Sequence, residues 1–167
     1  MSAHTRNAHC SFCGAPFPDV EFPRTCAACG NTTYVNPLPV AVLILPVGGG
    51  VLLVRRSLAD GRGKLALPGG FITLGESWQA AAARELQEET AVVVDPATIE
   101  LFDVQSAADG TLLVFGTAAA LRPSDLPPFV PNAETAERLV TPDAIELAFP
   151  LHTRALQAFF AGRPRRR

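Results

Sequence analysis

Three glutamates, Glu85, Glu88 and Glu89, stand at i, i+3 and i+4. On a helix those positions share one face. Like charges so placed repel by about 0.2–0.5 kcal/mol per pair. Little nearby relieves them: between Leu65 and Leu121 the only basic residue is Arg84, against eight acids, a formal sum of −7. A merely solvated helix face usually mixes both signs. A face of one sign suits hard cations, which prefer oxygen ligands. Mg²⁺ normally takes one or two carboxylates and fills its shell with waters and substrate phosphate oxygens. The set therefore suits one to three divalent ions around a diphosphate. Arg84, one turn before Glu88, is placed to orient it.

A second constellation lies near the N-terminus. Cys10-Ser-Phe-Cys13-Gly14 and Cys26-Ala-Ala-Cys29-Gly30 are two matching knuckles, with twelve residues between Cys13 and Cys26. Four thiolates are the complement of a tetrahedral structural Zn²⁺. Two disulfides or a redox pair are the rival readings. The duplicated motif in a chain expected in the cytoplasm disfavours both. His9 is a neighbour of Cys10, but four cysteines already close the site. No partner is evident for His4 or His152.

The elements that position these groups follow from pattern. Residues His9 to about Asn36 hold all four cysteines and few large apolar side chains. Metal binding must supply most of what holds this segment. From Pro39 to Val140 the pattern is α/β. Val40 to Leu45 and Val51 to Val54 read as a hairpin about three glycines. Gly61 to Gly70 reads as a loop, and Glu76 to about Thr90 as a helix rich in good formers. Val92 to Val94, Ile99 to Val104, Thr111 to Ala120 and Glu137 to Val140 read as strands. Pro123 to Pro131 reads as a proline-rich loop, Pro142 as the start of a short helical turn, and Pro150 to Ala161 as a last helix. Arg165 to Arg167 read as a frayed tail.

The 167 residues suffice for one globular domain and a small appendage, and 48% hydrophobic content supplies a core. The net charge of −2 offers no footprint for nucleic acid or an anionic membrane. The cysteine segment is not basic either, with Arg6 and Arg24 against Asp19 and Glu21. Met1 to Cys10 lacks the apolar run of a signal peptide. No apolar stretch approaches the roughly 20 residues of a membrane span. A cytoplasmic protein is expected.

Gly70, five residues, Glu76, seven residues, Arg84-Glu85-Leu86, one residue, Glu88-Glu89, two residues, Val92: this pattern resembles the Nudix box. Its specified positions over 23 residues make it far more specific than a lone glycine-rich loop. Cys10 to Pro37 also resembles the zinc ribbon that some Nudix proteins carry, down to its Tyr34-Val35-Asn36-Pro37 exit. The resemblance implies an α/β/α sandwich with a mixed β-sheet. It divides the chain into a ribbon at 1–36, a Nudix domain at 37–162 and a basic tail at 163–167. By position, Glu85, Glu88 and Glu89 match the family's Mg²⁺ or Mn²⁺ ligands. Glu76 matches the supporting glutamate, and Arg84 the arginine that fixes the carboxylates. One position departs. Ala91 stands where the family has glycine, which would strain a left-handed helix end by about 1 kcal/mol unless the helix ends differently. Leu65 replaces a tryptophan common among relatives.

The implied reaction is hydrolysis of the diphosphate bond of a nucleoside diphosphate joined to another moiety, of the ADP-ribose, FAD or NADH type. Bound ions would neutralise the phosphates and make water a better nucleophile. The general base is not in the box. Glu134 and Glu137 lie in the region from which relatives supply it. Arg55 and Arg56, with Arg62 and Lys64, are candidates for the substrate phosphates, beside Gly69 and Gly70. The run Ser-Gln-Pro-Trp-Pro-Phe-Pro of NADH pyrophosphatases is missing, and the only tryptophan is Trp78. Leu147 to His152 resembles the tail of other ribbon-bearing members. A non-catalytic nucleotide-sensing regulator is the alternative, but such a domain would tolerate loss of glutamates that this box keeps. The expected partner is a small nucleotide. Nucleic acid and membrane are not expected, and a homodimer could complete the cleft.

Overall fold

The computed structural model describes residues 7–18 and 21–162. His4, Arg6, Asp19 and the basic tail from 163 onward lie outside the described residues. The chain divides into two compact units, Met1–Pro37 and Leu38–Arg167.

The first unit is built on two equivalent turns. In each knuckle the first cysteine's N–H donates five residues ahead: Cys10 to the Ala15 carbonyl at 2.8 Å and Cys26 to the Asn31 carbonyl at 2.9 Å. The glycine after each second cysteine donates back to the first cysteine's carbonyl, at 2.9 Å from Gly14 and 2.8 Å from Gly30. Both glycines have φ near +75° (75 and 73), which a side chain would resist. Strands β1 (Arg24–Thr25) and β2 (Thr32–Thr33) pair antiparallel. The buried Arg24 is stacked by Phe22 at 4.1 Å and Phe17 at 5.0 Å, and its Nε donates to the Glu21 carbonyl. A stacked cation thus takes much of the place of an apolar core.

The second unit holds β3 (Leu38–Ile44), β4 (Pro46–Val47), β5 (Gly50–Arg56), β6 (Leu65–Ala66), β7 (Gly69–Phe71), α1 (Trp78–Thr90), β8 (Glu100–Ser106), β9 (Thr111–Thr117), β10 (Thr135–Thr141) and α2 (Pro150–Phe160). One sheet runs β7-β3-β9-β8, with β3 and β9 parallel and the other pairs antiparallel. The other runs β10-β5-β4, with β6 also on β5. Strand β3 is buried on both faces, so it reads as a continuous apolar run. Ala41 and Leu43 pack with Ala81, Ala82 and Leu86 of α1. Val42 and Ile44 pack with Ala155 and Leu156 of α2. The result is the expected α/β/α arrangement with a mixed sheet. No helix among the described residues is long and apolar enough to cross a membrane.

Several expectations of detail need correction. Val40–Leu45 and Val51–Val54 are not simple hairpin partners. The chain leaves one sheet at Leu45, whose carbonyl accepts from the Leu52 N–H at 3.0 Å, and Pro46–Val47 then pairs with β5. Val92 to Val94 forms no strand. The chain turns at Ala91, Val92 drops into the core, and Val93 faces solvent. Pro142 opens no helical turn, because the Thr141 hydroxyl bridges the N–H and carbonyl of Asp143 and bends the chain there. The glycine loop contains β6 and β7, which are two and three residues long. Their pairing comes from distant strands, so no local signal announces them.

Candidate metal and diphosphate site

Helix α1 starts at Ser77, whose side chain accepts from the Ala80 N–H at 3.1 Å. This satisfies one of the helix's orphan donors. Its alanines let the helix lie close on β3, and this buries Glu85 and Glu89 to 9% and 4% exposure while Glu88 stays outside. The three acids therefore line a gradient from the core edge to solvent.

Arg84 is the hub. Its Nε and Nη2 donate to the two oxygens of Glu76 at 3.0 and 3.1 Å. Its Nη1 donates to Glu85 at 2.7 Å and Glu88 at 3.1 Å, and Nη2 also donates to the Phe71 carbonyl at 3.1 Å. One planar fork thus ties three carboxylates and the end of β7 together, a task lysine cannot do. Arg84 holds the Glu76 carboxyl below its ordinary range, helped by the Thr73 N–H. Burial pushes Glu85 up, against the pull of Arg84.

Glu89 is different. Burial pushes it up to about 8, and its one side-chain hydrogen bond among the described residues comes from the Gly69 N–H at 2.9 Å. A buried carboxylate with so little compensation favours either a proton or a cation. That is the donor chemistry a divalent ion fits: hard oxygens short of positive charge. The oxygens of Glu85, Glu88 and Glu89 are not drawn into one tight cluster. Among the described residues only the cysteines gather three or more ligand atoms. Arg84 holds Glu85 and Glu88 while Glu89 bonds the Gly69 N–H apart from them, and such a set suits ions that complete their shells with water and phosphate. Gly70 is fitted to this place, because a Cβ there would collide with the Glu85 carboxylate.

A cavity of about 360 Å³ opens beside Gly69, Gly70 and Phe71, and Arg56, Phe149 and His152 also line it. The Arg56 Nε donates to the Asp60 carbonyl at 2.8 Å, and its guanidinium stacks over the Phe149 ring at 4.8 Å. Its charge reaches Glu89. Arg55, on the opposite face of β5, is engaged elsewhere: it bonds Glu137 and the Gly63 carbonyl. Glu134 lies within electrostatic reach of both Glu85 and Glu89, raising each. Arg56 and Glu134 thus lie within electrostatic reach of Glu89, which the Gly69 N–H bonds, while Arg55 and Glu137 pair with each other.

Three contributors left no sequence signal. Asn132 donates from Nδ2 to the Glu88 carbonyl at 2.8 Å, and Arg138 bonds the carbonyls of Thr90 and Pro127. Both cap the C-terminal turn of α1 from a distant loop and strand. His152, 6% exposed, stands edge-on to Phe115 and Phe149.

In the first unit the four cysteine sulfurs lie within 4.8 Å of one another. The Phe12 N–H lies 3.4 Å from the Cys10 sulfur and, with a second backbone N–H at Cys13, brings that thiol down to about 6. The Asn31 backbone and side-chain N–H groups likewise lower Cys29. N–H groups aimed at sulfur favour the thiolates that a soft divalent ion binds.

A family model for the NUDIX domain matches residues 36–159. The chain is 34% identical over 76 residues to an ADP-ribose pyrophosphatase of Methanocaldococcus jannaschii, covering 46% of this chain and 44% of that protein. It is 26% identical over 149 residues to the NAD-capped RNA hydrolase NudC of Klebsiella pneumoniae, covering 78% and 58%. The chain therefore spans about half the length of these curated relatives. A crystal structure of a NUDIX hydrolase from Nitrosomonas europaea superposes with a TM-score of 0.73 at 26% identity, covering 93% of this chain and 94% of that one.

Proposed function

The chain belongs to the Nudix family, and from that premise we propose that it hydrolyses the diphosphate bond of a nucleoside diphosphate joined to a second moiety, of the ADP-ribose, FAD or NADH type. The observation that carries this reading is the buried Glu89 beside the Arg84-bound Glu85 and Glu88, tied by the Gly69 N–H to the strand that lines a cavity of about 360 Å³. Glu85, Glu88 and Glu89 would hold Mg²⁺ or Mn²⁺. When bound, such ions neutralise the diphosphate and make water a stronger nucleophile.

The chain's own residues do the rest. Arg84 and Glu76 keep the carboxylates in place. Arg56 offers its guanidinium to a phosphate, and Gly69 and Gly70 let the substrate approach the carboxylates closely. Glu134 is favoured over Glu137 as general base, because its charge reaches Glu85 and Glu89 while Glu137 is paired with Arg55. Cys10, Cys13, Cys26 and Cys29 would hold a structural Zn²⁺. Four gathered thiols suit a reducing compartment, so we place the protein in the cytoplasm.

The test is hydrolysis with Mg²⁺ or Mn²⁺ of ADP-ribose, NADH, FAD, diadenosine polyphosphates and nucleoside triphosphates, with Glu88→Gln and Glu89→Gln beside the wild type. Turnover of a dinucleotide-type substrate, lost in both variants, is expected. Tight binding of one compound with no turnover of any would replace the enzyme with a nucleotide sensor.

A further inference from the structure

The loop from Pro127 to Glu134 carries no regular structure, yet it delivers Glu134 to the metal helix. Asn132 explains how. Its Oδ1 accepts from the N–H of Glu134 at 2.9 Å and from the N–H of Thr135 at 2.8 Å. Its Nδ2 donates 2.8 Å to the carbonyl of Glu88, and its own N–H donates to the Thr135 carbonyl at 2.9 Å. A single amide therefore bonds the backbone of two acids on different elements: Glu88 on α1 and Glu134 on the loop. A second tie fixes the other side of Glu134, whose carbonyl accepts from the Ser57 N–H at 2.8 Å.

The Glu88 carbonyl belongs to the last turn of α1, where carbonyls lose their intrahelical partners. It needs a donor, and Asn132 supplies one. An amide is the only short side chain that presents a donor and an acceptor on one rigid plane. Serine is too short to span both, and aspartate has no donor.

We propose that Asn132 is a positioning residue that fixes Glu134 relative to the metal-binding turn of α1, so that the base and the carboxylate face move as one body. This inference rests on the proposed hydrolysis for its kinetic consequence, but the clamp itself is a structural claim.

The experiment compares wild type, Asn132→Ala, Asn132→Asp, Glu134→Gln and the Asn132→Ala/Glu134→Gln double variant, all as the full chain. Asn132→Asp keeps the acceptor for both loop N–H groups, loses the donor to α1 and adds one negative charge, which Asn132→Ala does not. Kinetics are read on whichever compound of the panel the wild type hydrolyses, and amide hydrogen exchange is read over residues 130–136 and 86–91. Misplacing a catalytic group by about 1 Å can cost about a hundredfold, so both Asn132 variants should lower kcat at least about tenfold with KM within about twofold. In the Glu134→Gln background the same alanine substitution should change kcat less than about twofold. Both variants should also exchange at least about tenfold faster in the last turn of α1. An equal kcat loss with and without the Glu134 carboxylate would overturn the proposal, because Asn132 would then act on the helix alone. Unchanged exchange in either variant would overturn the clamp, whether or not the wild type turns over any substrate. A wild type that hydrolyses nothing would sink the proposed reaction and leave exchange to decide the clamp.

Discussion

Glu137 stands directly across the β5–β10 ladder from Arg55, and the two side chains close an ion pair of 2.7 Å. The next residue of β5, Arg56, points to the other face and stacks on Phe149 at the cavity. Both members of the Arg55–Glu137 pair are exposed, so the pair contributes at most about 1 kcal/mol. Arg55→Ala should leave KM within about twofold and stability within about 1 kcal/mol. Arg56→Ala should raise KM about tenfold, since a charge-assisted hydrogen bond contributes about 1.5–3 kcal/mol. Steady-state kinetics and urea unfolding on both variants check this. An Arg55 variant with the larger KM effect would reverse the assignment.

Arg84→Lys keeps the charge and removes the fork. One ammonium cannot bond Glu76, Glu85, Glu88 and the Phe71 carbonyl together. Losing the group that orients metal ligands typically costs about 10–100-fold in affinity. Mn²⁺ titration followed by electron paramagnetic resonance should show a loss of that size, and an unchanged affinity would remove Arg84 from the site.

Ala91 ends α1 in the left-handed region, at φ 62° and ψ 5°. The Thr90 hydroxyl braces the turn, donating to the Leu86 carbonyl and accepting from the Val92 N–H at 3.2 Å. The brace does not remove the clash of a Cβ in that conformation. Ala91→Gly should therefore stabilise the protein by about 1 kcal/mol, read as a higher urea midpoint with an unchanged slope. A lower midpoint would show that the Thr90 brace already absorbs the strain.

Zinc content is a direct check on the first unit. Elemental analysis should find one Zn²⁺ per chain, and Cys26→Ser should lose it. The paired strands β1 and β2 have four residues between them and little core, so chelation should abolish their exchange protection. Protection that survives chelation would mean the stacked Arg24 suffices.

His152 is buried among aromatic rings near Arg56, and burial pushes its pKa down from 6.5 to about 3. Its Nδ1 has no hydrogen-bond partner among the described residues. The unfolded chain takes up this proton first as pH falls. The neutral histidine's stabilising contribution is thus complete above about pH 6.5 and is lost as pH drops toward 3. Burial raises Glu85 and Glu89, which act in the opposite sense, but they are common to wild type and variant. The stability of the wild type relative to His152→Leu should therefore fall by one proton's linkage per pH unit between about pH 6.5 and 3. A difference independent of pH would mean that His152 takes up its proton as readily in the folded protein as in the unfolded chain.

The sequence alone determined the parts whose geometry is local. A helix repeats every 3.6 residues, so Glu85, Glu88 and Glu89 had to share a face, and Arg84 had to reach Glu88. Two cysteines three apart, followed by glycine, had to form a knuckle. The tertiary structure decided everything that depends on which strand meets which. Strand alternation sends Arg55 and Arg56 to opposite faces, but only the β5–β10 register gave Arg55 its partner Glu137 and left Glu134 near the carboxylates. The same holds for β6 and β7, for the reach of Asn132 to Glu88 across 44 positions, and for the burial that lifts Glu89. Those contacts depend on long-range packing, which no local spacing encodes.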